Sequence, residues 1–439
     1  MQTSVHSLTS SFNFHPPRRR LCRLLPSLSL FFLLQLVVLS SSPSYATKTC
    51  AFLNGQTFPA IRHFPMRLSR LELERQRENL KLQEGGEPPV VAARPCADPE
   101  TAGVISYREA AVIVKRFRDK GPGVYKDCIS LDLGRSRVPF LEVTADGIRF
   151  PDMPPGVMLC SLEALEDICR TAMKKKQYCC FALDRSTQGG DPSPSKISFL
   201  SEKTNRIASL VMPPPGSPST EWPSMTVGGF PMHRVSMGKR HSEEMVGPRE
   251  DTEAKIAAVE NIRPLRGGSR VLDTCTGLGY TAICAASKVG GGKRGEEGVV
   301  TVEFDPAVVE VQRRNPWSSE LFGGKEETGL SRLEGDAATV VRSLPSGSFS
   351  HVIHDPPSVS LQKSEEMGGS LYSEEFYAEL RRILHSSDGA LFHYIGDPQS
   401  RASGRLYTGV MARLQRVGFQ KLEVDNKAWG VTACVRTQR

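Results

Sequence analysis

The stretch Ser269–Ala282, SRVLDTCTGLGYTA, decides the fold class expected for this chain. An apolar pair runs into Asp273 and then into Gly277 and Gly279, after which the pattern predicts a helix over Tyr280–Lys288. This order is typical of a parallel strand, a glycine turn and a helix, which together bring backbone close to a nucleotide-like ligand. A tight strand–helix turn that binds no ligand is the alternative interpretation.

A second buried strand is predicted over Val299–Asp305, VVTVEFD, and it ends in the carboxylates Glu303 and Asp305. In dinucleotide and adenosyl sites, an acid at this place accepts hydrogen bonds from ribose hydroxyls. Ala282 or Ala285 would have to supply the third glycine of the dinucleotide fingerprint. The pattern therefore favours a ligand without a pyrophosphate.

Strand-like and helix-like segments alternate across residues 269–410, which predicts an α/β fold with a doubly wound, mostly parallel sheet. Ligands of such sheets bind outside the carboxyl ends of the strands. Four acidic residues follow four successive predicted strands: Asp273, Glu303, Asp336 and Asp355. We therefore expect a ligand cleft at that edge of the sheet.

Several runs in this half resemble one enzyme family. The runs LDTCTGLGYTAI, VTVEFDP, NPW, HDPP, LYSEEFY and LFHYIGDP resemble class I S-adenosylmethionine-dependent methyltransferases, and within them a predicted family best known from archaea. The resemblance covers roughly Trp222–Arg439. It implies a Rossmann-like sheet of seven strands that ends in an antiparallel edge hairpin, and S-adenosyl-L-methionine (SAM) as cofactor.

The resemblance also implies roles for individual residues. Gly277 and Gly279 would let backbone pass beneath the adenosyl and methionine groups, and Asp273 would hold the methionine amine directly or through water. Glu303 would bind the ribose, Asp336 the adenine amine, and Ala337 would pack beside the ring. The residues expected to bind the cofactor are Asp273, Thr274, Gly277, Gly279, Glu303, Asp305, Asp336 and Ala337.

The loop Asp355, Pro356 and Pro357 is the candidate for binding the methyl acceptor. The prolines stiffen the loop, and the carboxylate with a neighbouring carbonyl can accept hydrogen bonds from an amine. Ser358 stands where amine-directed nucleic-acid methyltransferases usually carry an aromatic residue, which counts against stacking on a base. No cysteine nucleophile lies near this loop in the sequence, so transfer to a nitrogen or oxygen is favoured, and no metal is predicted.

His354 and His393 are further candidates, as acid/base groups, because histidine titrates near neutral pH. Their alternative is a structural role at strand ends. His233 and Arg234 would touch substrate or anchor the segment that carries them. Asp251 or Thr252 is predicted to cap a helix that begins at residue 253.

The acceptor is not identified by the sequence. A net charge of +8 permits RNA but does not require it, and protein or metabolite acceptors stay open. LYSEEFY also resembles polyamine synthases, which would make the chain an aminopropyltransferase, although their glycine run and acids are denser. A non-catalytic binding module is the third alternative. Oligomeric state is left open.

The first 70 residues are predicted to be a targeting leader. Arginines precede an apolar run over Leu24–Leu39, and no acidic residue occurs before Glu72. A signal peptide followed by a transit-like stretch resembles leaders of proteins imported into plastids with extra membranes; secretion is the alternative. The apolar run is short for a permanent membrane span, so none is expected in the mature chain. The eleven cysteines contain no C-x-x-C pair, which favours free thiols.

Four segments follow from these patterns. They are a leader over residues 1–70, a linker over 71–101, a small α/β accessory module over 102–215 and a methyltransferase domain over 222–439. The accessory module is expected to contain a helix over Ala110–Arg118, a hairpin between Phe140 and Phe150, and a helix over Leu162–Lys176.

Overall fold

The described part of the chain contains both strands and helices, which alternate regularly only after residue 248. The computed structural model describes residues 96–154, 156–184, 193–215, 217, 222–235, 246–290, 298–358, 371–400 and 403–435. All of them lie in one unit, Gly85–Arg439. The predicted leader over residues 1–70 and most of the linker lie outside the described residues, so they stay predictions.

Three small sheets and two helices form the first part of this unit. The strands are β1 (Thr101–Ile105), β2 (Gly123–Lys126), β3 (Phe140–Val143), β4 (Gly147–Arg149), β5 (Cys160–Ser161), β6 (Phe181–Asp184), β7 (Ser195–Lys196), β8 (Ser198–Leu200), β9 (Ile207–Val211), β10 (Ser224–Val227) and β11 (Phe230–Pro231), and the helices are α1 (Tyr107–Lys120) and α2 (Leu162–Lys175). The strand orders are β1-β6-β7, β2-β3-β4-β5 and β11-β10-β9-β8.

The predicted hairpin is present as β3 and β4, which pair antiparallel around the Asp-Gly turn. Helix α1 begins earlier than predicted, at Tyr107. Ser106 and Glu109 form a capping box there, in which the Glu109 carboxylate accepts from the Ser106 backbone N–H at 2.8 Å. Helix α2 begins after Ser161 as predicted, because the Ser161 hydroxyl accepts from the Ala164 N–H at 3.1 Å.

A mostly parallel seven-stranded sheet forms the second part. Its strands are β12 (Val271–Asp273), β13 (Val299–Glu303), β14 (Leu330–Glu334), β15 (His351–His354), β16 (Ala390–Tyr394), β17 (Gln420–Asp425) and β18 (Gly430–Cys434). They lie in the order β14-β13-β12-β15-β16-β18-β17, and β18 alone runs against the rest. The predicted α/β, Rossmann-like fold class and its antiparallel edge hairpin are confirmed.

Helices cover both faces of this sheet. They are α3 (Pro248–Ile262), α4 (Tyr280–Val289), α5 (Pro306–Arg314), α6 (Lys325–Thr328), α7 (Ala337–Ser343), α8 (Glu374–Ile383) and α9 (Ser403–Arg416), and a 3-10 helix spans Pro316–Phe322. Successive residues of β12 enter different cores: Val271 packs with Ala254 and Ala282, and Leu272 with Phe376 and Tyr377. This alternation follows from the two-residue period of a strand and makes the sheet doubly wound.

Helix α3 begins at Pro248 and not at residue 253. Gly247 is its N-cap, and the Glu250 carboxylate accepts from the Gly247 N–H at 3.0 Å. A proline fits the first helical position because its missing N–H would have no partner there. The predicted capping role of Asp251 or Thr252 is therefore wrong, and Asp251 lies inside the helix with its side chain buried.

The small sheets pack directly on the second part. Strand β9 pairs with β10, so one sheet crosses the predicted boundary between residues 215 and 222. The Arg135 guanidinium lies 2.6 Å from a carboxylate oxygen of Glu320, and the Trp317 indole N–H donates to the Leu133 carbonyl at 3.1 Å. The division into accessory and methyltransferase domains stays a prediction. No helix in the described ranges has the length and apolarity of a membrane span.

Candidate cofactor and acceptor site

A cleft of about 360 Å³ opens at the carboxyl edge of the seven-stranded sheet, a volume within the range of small-molecule sites. It lies beside β12 and β15, where the strand order reverses, which is where ligands of doubly wound sheets bind. The predicted site residues that line it are Thr274, Gly277, Glu303, Asp305, Asp336, Ala337, Asp355, Pro356 and Pro357. The sheet geometry thus brings together side chains from four strand ends.

The two glycines of the first turn differ in what surrounds them. Both have positive φ, +54° at Gly277 and +79° at Gly279. A Cβ on Gly277 would meet open space, whereas a Cβ on Gly279 would lie 2.5 Å from Leu321 Cδ1. Gly277 therefore leaves room for a ligand against the backbone, and Gly279 is required for packing on the 3-10 helix.

Glu303 is held by three backbone donors. Its Oε1 accepts from the N–H groups of Phe304 and Asp305, each at 2.9 Å, and its Oε2 accepts from the Gly277 N–H at 3.0 Å. Burial raises the pKa of Glu303 to about 7, against the lowering effect of these donors. A carboxylate oxygen can accept two hydrogen bonds, so Oε2 retains capacity for one ribose hydroxyl.

Asp305 and Asp336 both cap helices, but they differ in spare capacity. Asp305 accepts from the Ala307 N–H through Oδ1 and from the Thr204 hydroxyl through Oδ2, both at 2.9 Å. Asp336 uses only Oδ2, which accepts from the N–H and the hydroxyl of Thr339. Within the described residues, Oδ1 of Asp336 has no recorded partner, so it can accept from an adenine amine, whereas Asp305 serves to link two parts of the fold.

Asp273 lies beneath the turn and is fully buried. Its Oδ2 accepts from the Thr301 hydroxyl at 2.6 Å and its Oδ1 from the Thr281 hydroxyl at 3.2 Å. Burial raises its pKa to about 7. Among the described residues, Asp273 is not part of the cleft lining, so the structure does not support the direct contact predicted with a methionine amine.

A buried chain of alternating charges leads into the candidate acceptor loop. The Arg234 guanidinium pairs with Oδ1 of Asp251, and Lys255 Nζ lies 2.9 Å from Oδ2 of Asp251. The same Nζ donates to Oδ2 of Asp355 at 2.6 Å. Burial raises the pKa of Asp355, and the Lys255 ammonium opposes that rise. Lys255 lines the cleft, and no pattern in the sequence points to it.

The structure does not support acid/base roles for His354 and His393. His354 donates through Nε2 to the Leu371 carbonyl at 2.9 Å, so its Nδ1 accepts from the Thr274 hydroxyl at 2.7 Å. His393 Nε2 lies 2.8 Å from the Tyr377 hydroxyl oxygen. Burial lowers the pKa of His354 to about 3 and that of His393 well below its usual value. Neither is among the described residues that line the cleft, and both pack as neutral rings.

In the segment before α3, His233 lines the cleft and Arg234 anchors the segment to the rest of the fold. His233 lines the cleft, its Nδ1 lies 3.1 Å from the Ser224 hydroxyl oxygen, and burial lowers its pKa to about 4. Arg234 donates to the Lys427 carbonyl at 2.8 Å and lies over the Trp429 ring, in addition to its pair with Asp251. The anchoring alternative fits Arg234, whereas His233 faces the ligand space.

One wall of the cleft comes from the sheet β11-β10-β9-β8 and its turns, which the sequence did not predict. It brings apolar and basic side chains to the cleft: Arg206, Met225, Val227, Phe230 and Met232. The Lys203 ammonium donates to the Phe304 carbonyl at 3.3 Å, next to Glu303. The long-range pairing of β9 with β10 is what places this wall.

These donors and acceptors fit SAM. Glu303 Oε2 has capacity for a ribose hydroxyl, Asp336 Oδ1 for the adenine amine, and the open side of Gly277 admits the ligand against the backbone. Ala337 is in position to pack beside the adenine ring. The residues therefore match the adenosyl part of SAM better than its amino group, for which Asp273 is not exposed.

Comparisons with known proteins give relatives over part of the chain. An uncharacterized protein of Methanocaldococcus jannaschii, MJ1233, is 42% identical over 212 residues, which cover 48% of this chain and 63% of that protein. Polyamine aminopropyltransferase 2 of Streptomyces coelicolor is 34% identical over 124 residues, 28% of this chain and 21% of that protein. The chain thus spans less than two thirds of either relative. No family model matches it.

Similar solved structures include enzymes of both kinds. A probable spermidine synthase from Corynebacterium glutamicum has a TM-score of 0.38 at 15% identity, over 54% of this chain and 79% of that one. A putative SAM-dependent methyltransferase from Methanococcus maripaludis has a TM-score of 0.30 at 12% identity, over 46% and 99%. Such low scores carry no argument about function, and the fold class rests on the strand order described above.

Proposed function

We propose that this protein is a SAM-dependent methyltransferase that transfers a methyl group to a nitrogen or oxygen of its acceptor. One observation carries the proposal: the carboxylates of Glu303 and Asp355, which we assign to the ribose and to the methyl acceptor, line one cleft on the two sides of the switch point. Glu303 ends β13, Asp355 follows β15, and only β12 lies between these strands. Two strand spacings separate them by about 10 Å, enough room for a nucleoside between them.

Bound SAM would supply an electrophilic methyl on its sulfonium sulfur. The chain's own residues would position the two reactants. Asp355 accepts a hydrogen bond from the N–H or O–H of the acceptor, which directs the acceptor's lone pair at the methyl, and Pro356 and Pro357 keep that loop rigid. Most of the rate would then come from holding the reacting atoms about 3–3.5 Å apart and from excluding water.

Calorimetric titration of the full chain with SAM, and separately with decarboxylated SAM, tests this proposal. We expect SAM to bind more tightly. We also expect Asp355→Ala to bind S-adenosylhomocysteine, whose sulfur is uncharged, like the wild type, but to transfer no labelled methyl from saturating SAM to any component of a cell extract. Asp146→Ala, in the exposed β3–β4 turn, is the matched control and should keep activity. Methyl transfer by Asp355→Ala would refute the role given to this carboxylate.

Aminopropyl transfer is the second candidate, and the similarity to polyamine aminopropyltransferase 2 supports it. The same titration separates the two reactions, because an aminopropyltransferase should prefer the decarboxylated cofactor. Against it, the ammonium of Lys255 already occupies one oxygen of Asp355, the acid of the acceptor loop. A non-catalytic module would bind SAM and transfer nothing with any acceptor.

The 42% identity to an archaeal protein supports our further proposal that the chain belongs with the methyltransferase family best known from archaea. RNA as the acceptor, and residues 1–70 as a plastid leader, are proposals on the sequence alone. A fusion of residues 1–95 to a fluorescent protein would test the leader. Plastid fluorescence is expected, and secretion into the medium would contradict it.

A further inference from the structure

Lys255 connects helix α3 to the acceptor loop. Its ammonium donates to Oδ2 of Asp355 at 2.6 Å and lies 2.9 Å from Oδ2 of Asp251. It also lies 4.5 Å from the centre of the Tyr394 ring, and its side chain is only 3% exposed. A lysine buried to this degree is held as a cation by its carboxylate partners, since an unpaired ammonium would be too costly to desolvate.

The four charges of this buried chain cancel. Arg234 and Lys255 are cations, Asp251 and Asp355 are anions, and each neighbouring pair is in contact. Asp355 therefore presents one carboxylate oxygen, Oδ1, that has no recorded hydrogen bond in the described part of the chain. A methyl acceptor placed beside Oδ1 can donate a hydrogen bond to it, but it meets no net negative charge from this chain.

An ammonium acceptor is disfavoured by this arrangement. It would need an uncompensated carboxylate in a water-poor site, and it would lie close to the like charge of Lys255. A hydroxyl or an uncharged amine needs only the single acceptor that Oδ1 offers.

We propose that Lys255 is a positioning residue that holds Asp355 with one oxygen toward the acceptor, so that the site selects an uncharged N–H or O–H acceptor over an ammonium. This inference rests on the methyltransferase function proposed above. It concerns the acceptor end alone, and cofactor binding by Glu303 and Asp336 does not depend on it.

Two cofactor analogues probe the acceptor end without an identified acceptor. S-Adenosylhomocysteine has an uncharged sulfur, whereas sinefungin carries an amino group, protonated at neutral pH, where SAM carries its methyl. The ratio of their dissociation constants measures how much an added ammonium group strengthens or weakens binding at the acceptor end. A variant that is merely less well folded weakens both ligands alike and leaves the ratio unchanged.

Calorimetry on the full chain should show opposite changes in two variants. Lys255→Met leaves Asp355 uncompensated, so sinefungin should gain about tenfold or more over S-adenosylhomocysteine, because two unit charges a few ångströms apart interact by several times the 1.4 kcal/mol of a tenfold change. Asp355→Asn leaves Lys255 uncompensated, so sinefungin should lose by a similar factor. The double variant, again neutral, should return close to the wild-type ratio.

Lys288→Met is the matched control, because Lys288 lies on the surface of α4 and pairs with Glu260 at 2.9 Å. Its ratio should equal that of the wild type. If both single variants bind the analogues with an unchanged ratio, the role of Lys255 is refuted while the proposed function stands. If Lys255→Met does not fold, the Asp355→Asn ratio alone decides. A wild-type chain that binds neither analogue nor SAM contradicts the proposed function itself.

Discussion

Replacing Asp251 with asparagine should destabilise the protein strongly. Asp251 is 1% exposed and forms ion pairs with two cations, Arg234 and Lys255, whose side chains are 8% and 3% exposed. Asparagine has nearly the same shape, so it creates no cavity and removes only the charge. The four-membered charge chain, neutral in the wild type, then carries an excess positive charge in a buried place.

The expected loss in unfolding free energy is about 3 kcal/mol at pH 7, the lower end of the 3–5 kcal/mol typical for a broken buried ion pair. The lower end applies because both cations keep other partners. Lys255 retains Asp355, and Arg234 retains the Lys427 carbonyl and the Trp429 ring. Against a total stability of about 5–15 kcal/mol, such a loss is readily measured.

Guanidinium unfolding at several pH values is the assay. Burial would raise the pKa of Asp251, but the Lys255 and Arg234 cations outweigh it, so the pKa lies below its usual value. A carboxylate with a depressed pKa stabilises the fold above its unfolded pKa of about 4 and loses that contribution as the pH falls through the folded value. The difference between wild type and Asp251→Asn should therefore be full at pH 7 and shrink below about pH 4.

Glu166→Gln is the matched control, since Glu166 pairs with Arg118 at 2.8 Å on the surface. It should change stability by at most about 1 kcal/mol. The reasoning is refuted if Asp251→Asn costs no more than Glu166→Gln, or if its cost does not depend on pH.

Three further predictions concern the cleft and the turn beneath it. Gly279→Ala should lower the free energy of unfolding by more than about 2 kcal/mol, because its Cβ would clash with Leu321 in addition to the strain of a positive φ. Gly277→Ala should lower it by only about 1–2 kcal/mol in the same denaturation assay, because its Cβ would meet open space. Equal losses in the two variants would contradict this. Burial raises the pKa of Asp273 to about 7 in the folded state, so the free energy of unfolding should fall as the pH rises from about 4 to 7. Asp273→Asn should remove part of this pH dependence, and an unchanged pH dependence would refute the raised pKa. Glu303→Gln should weaken SAM binding about tenfold by calorimetry because its new amide N–H groups face backbone donors, and unaltered affinity would exclude Glu303 from the ribose site.

The main sheet could be predicted because its signals are local. Strands β12 and β13 are buried along their whole length, as their apolar runs indicate, and parallel strands place their carboxyl ends at one edge. That Glu303, Asp336 and Asp355 lie at the same cleft could therefore be predicted without knowing any long-range contact. Asp273 also ends a strand at this edge. Only its hydrogen bonds from Thr281 and Thr301 show that its carboxylate is turned into the protein.

The charge chain could not be predicted, because a lysine within a helix is usually solvated. Lys255 and its partner Asp355 are 100 residues apart in the chain, and only the packing of α3 against the strand ends joins them. The start of α3, in contrast, could have been predicted from the sequence. Gly247 followed by Pro248 is a helix-start signal that outweighs the capping propensity of Asp251 once the helix is allowed to begin earlier.

The surroundings of His354 and His393 could not be predicted for another reason. Sequence shows that an imidazole follows or ends a strand, but not which partners its nitrogens find. Leu371 and Tyr377, which bond His354 and His393, lie 17 and 16 residues away from them. Burial lowers the pKa of both rings, so the neutral ring is the stable form of each histidine.

The pairing of β9 with β10 determines how the chain would respond to being cut. A break near residue 217 would leave each strand with an exposed backbone edge and would uncover Leu210 and Met225, which are register partners in the buried sheet. Fragments made separately should therefore be prone to aggregate. Made together, they should reassemble as a split protein, and because reassembly rebuilds a wall of the cleft, a ligand of the cleft should drive fragment complementation.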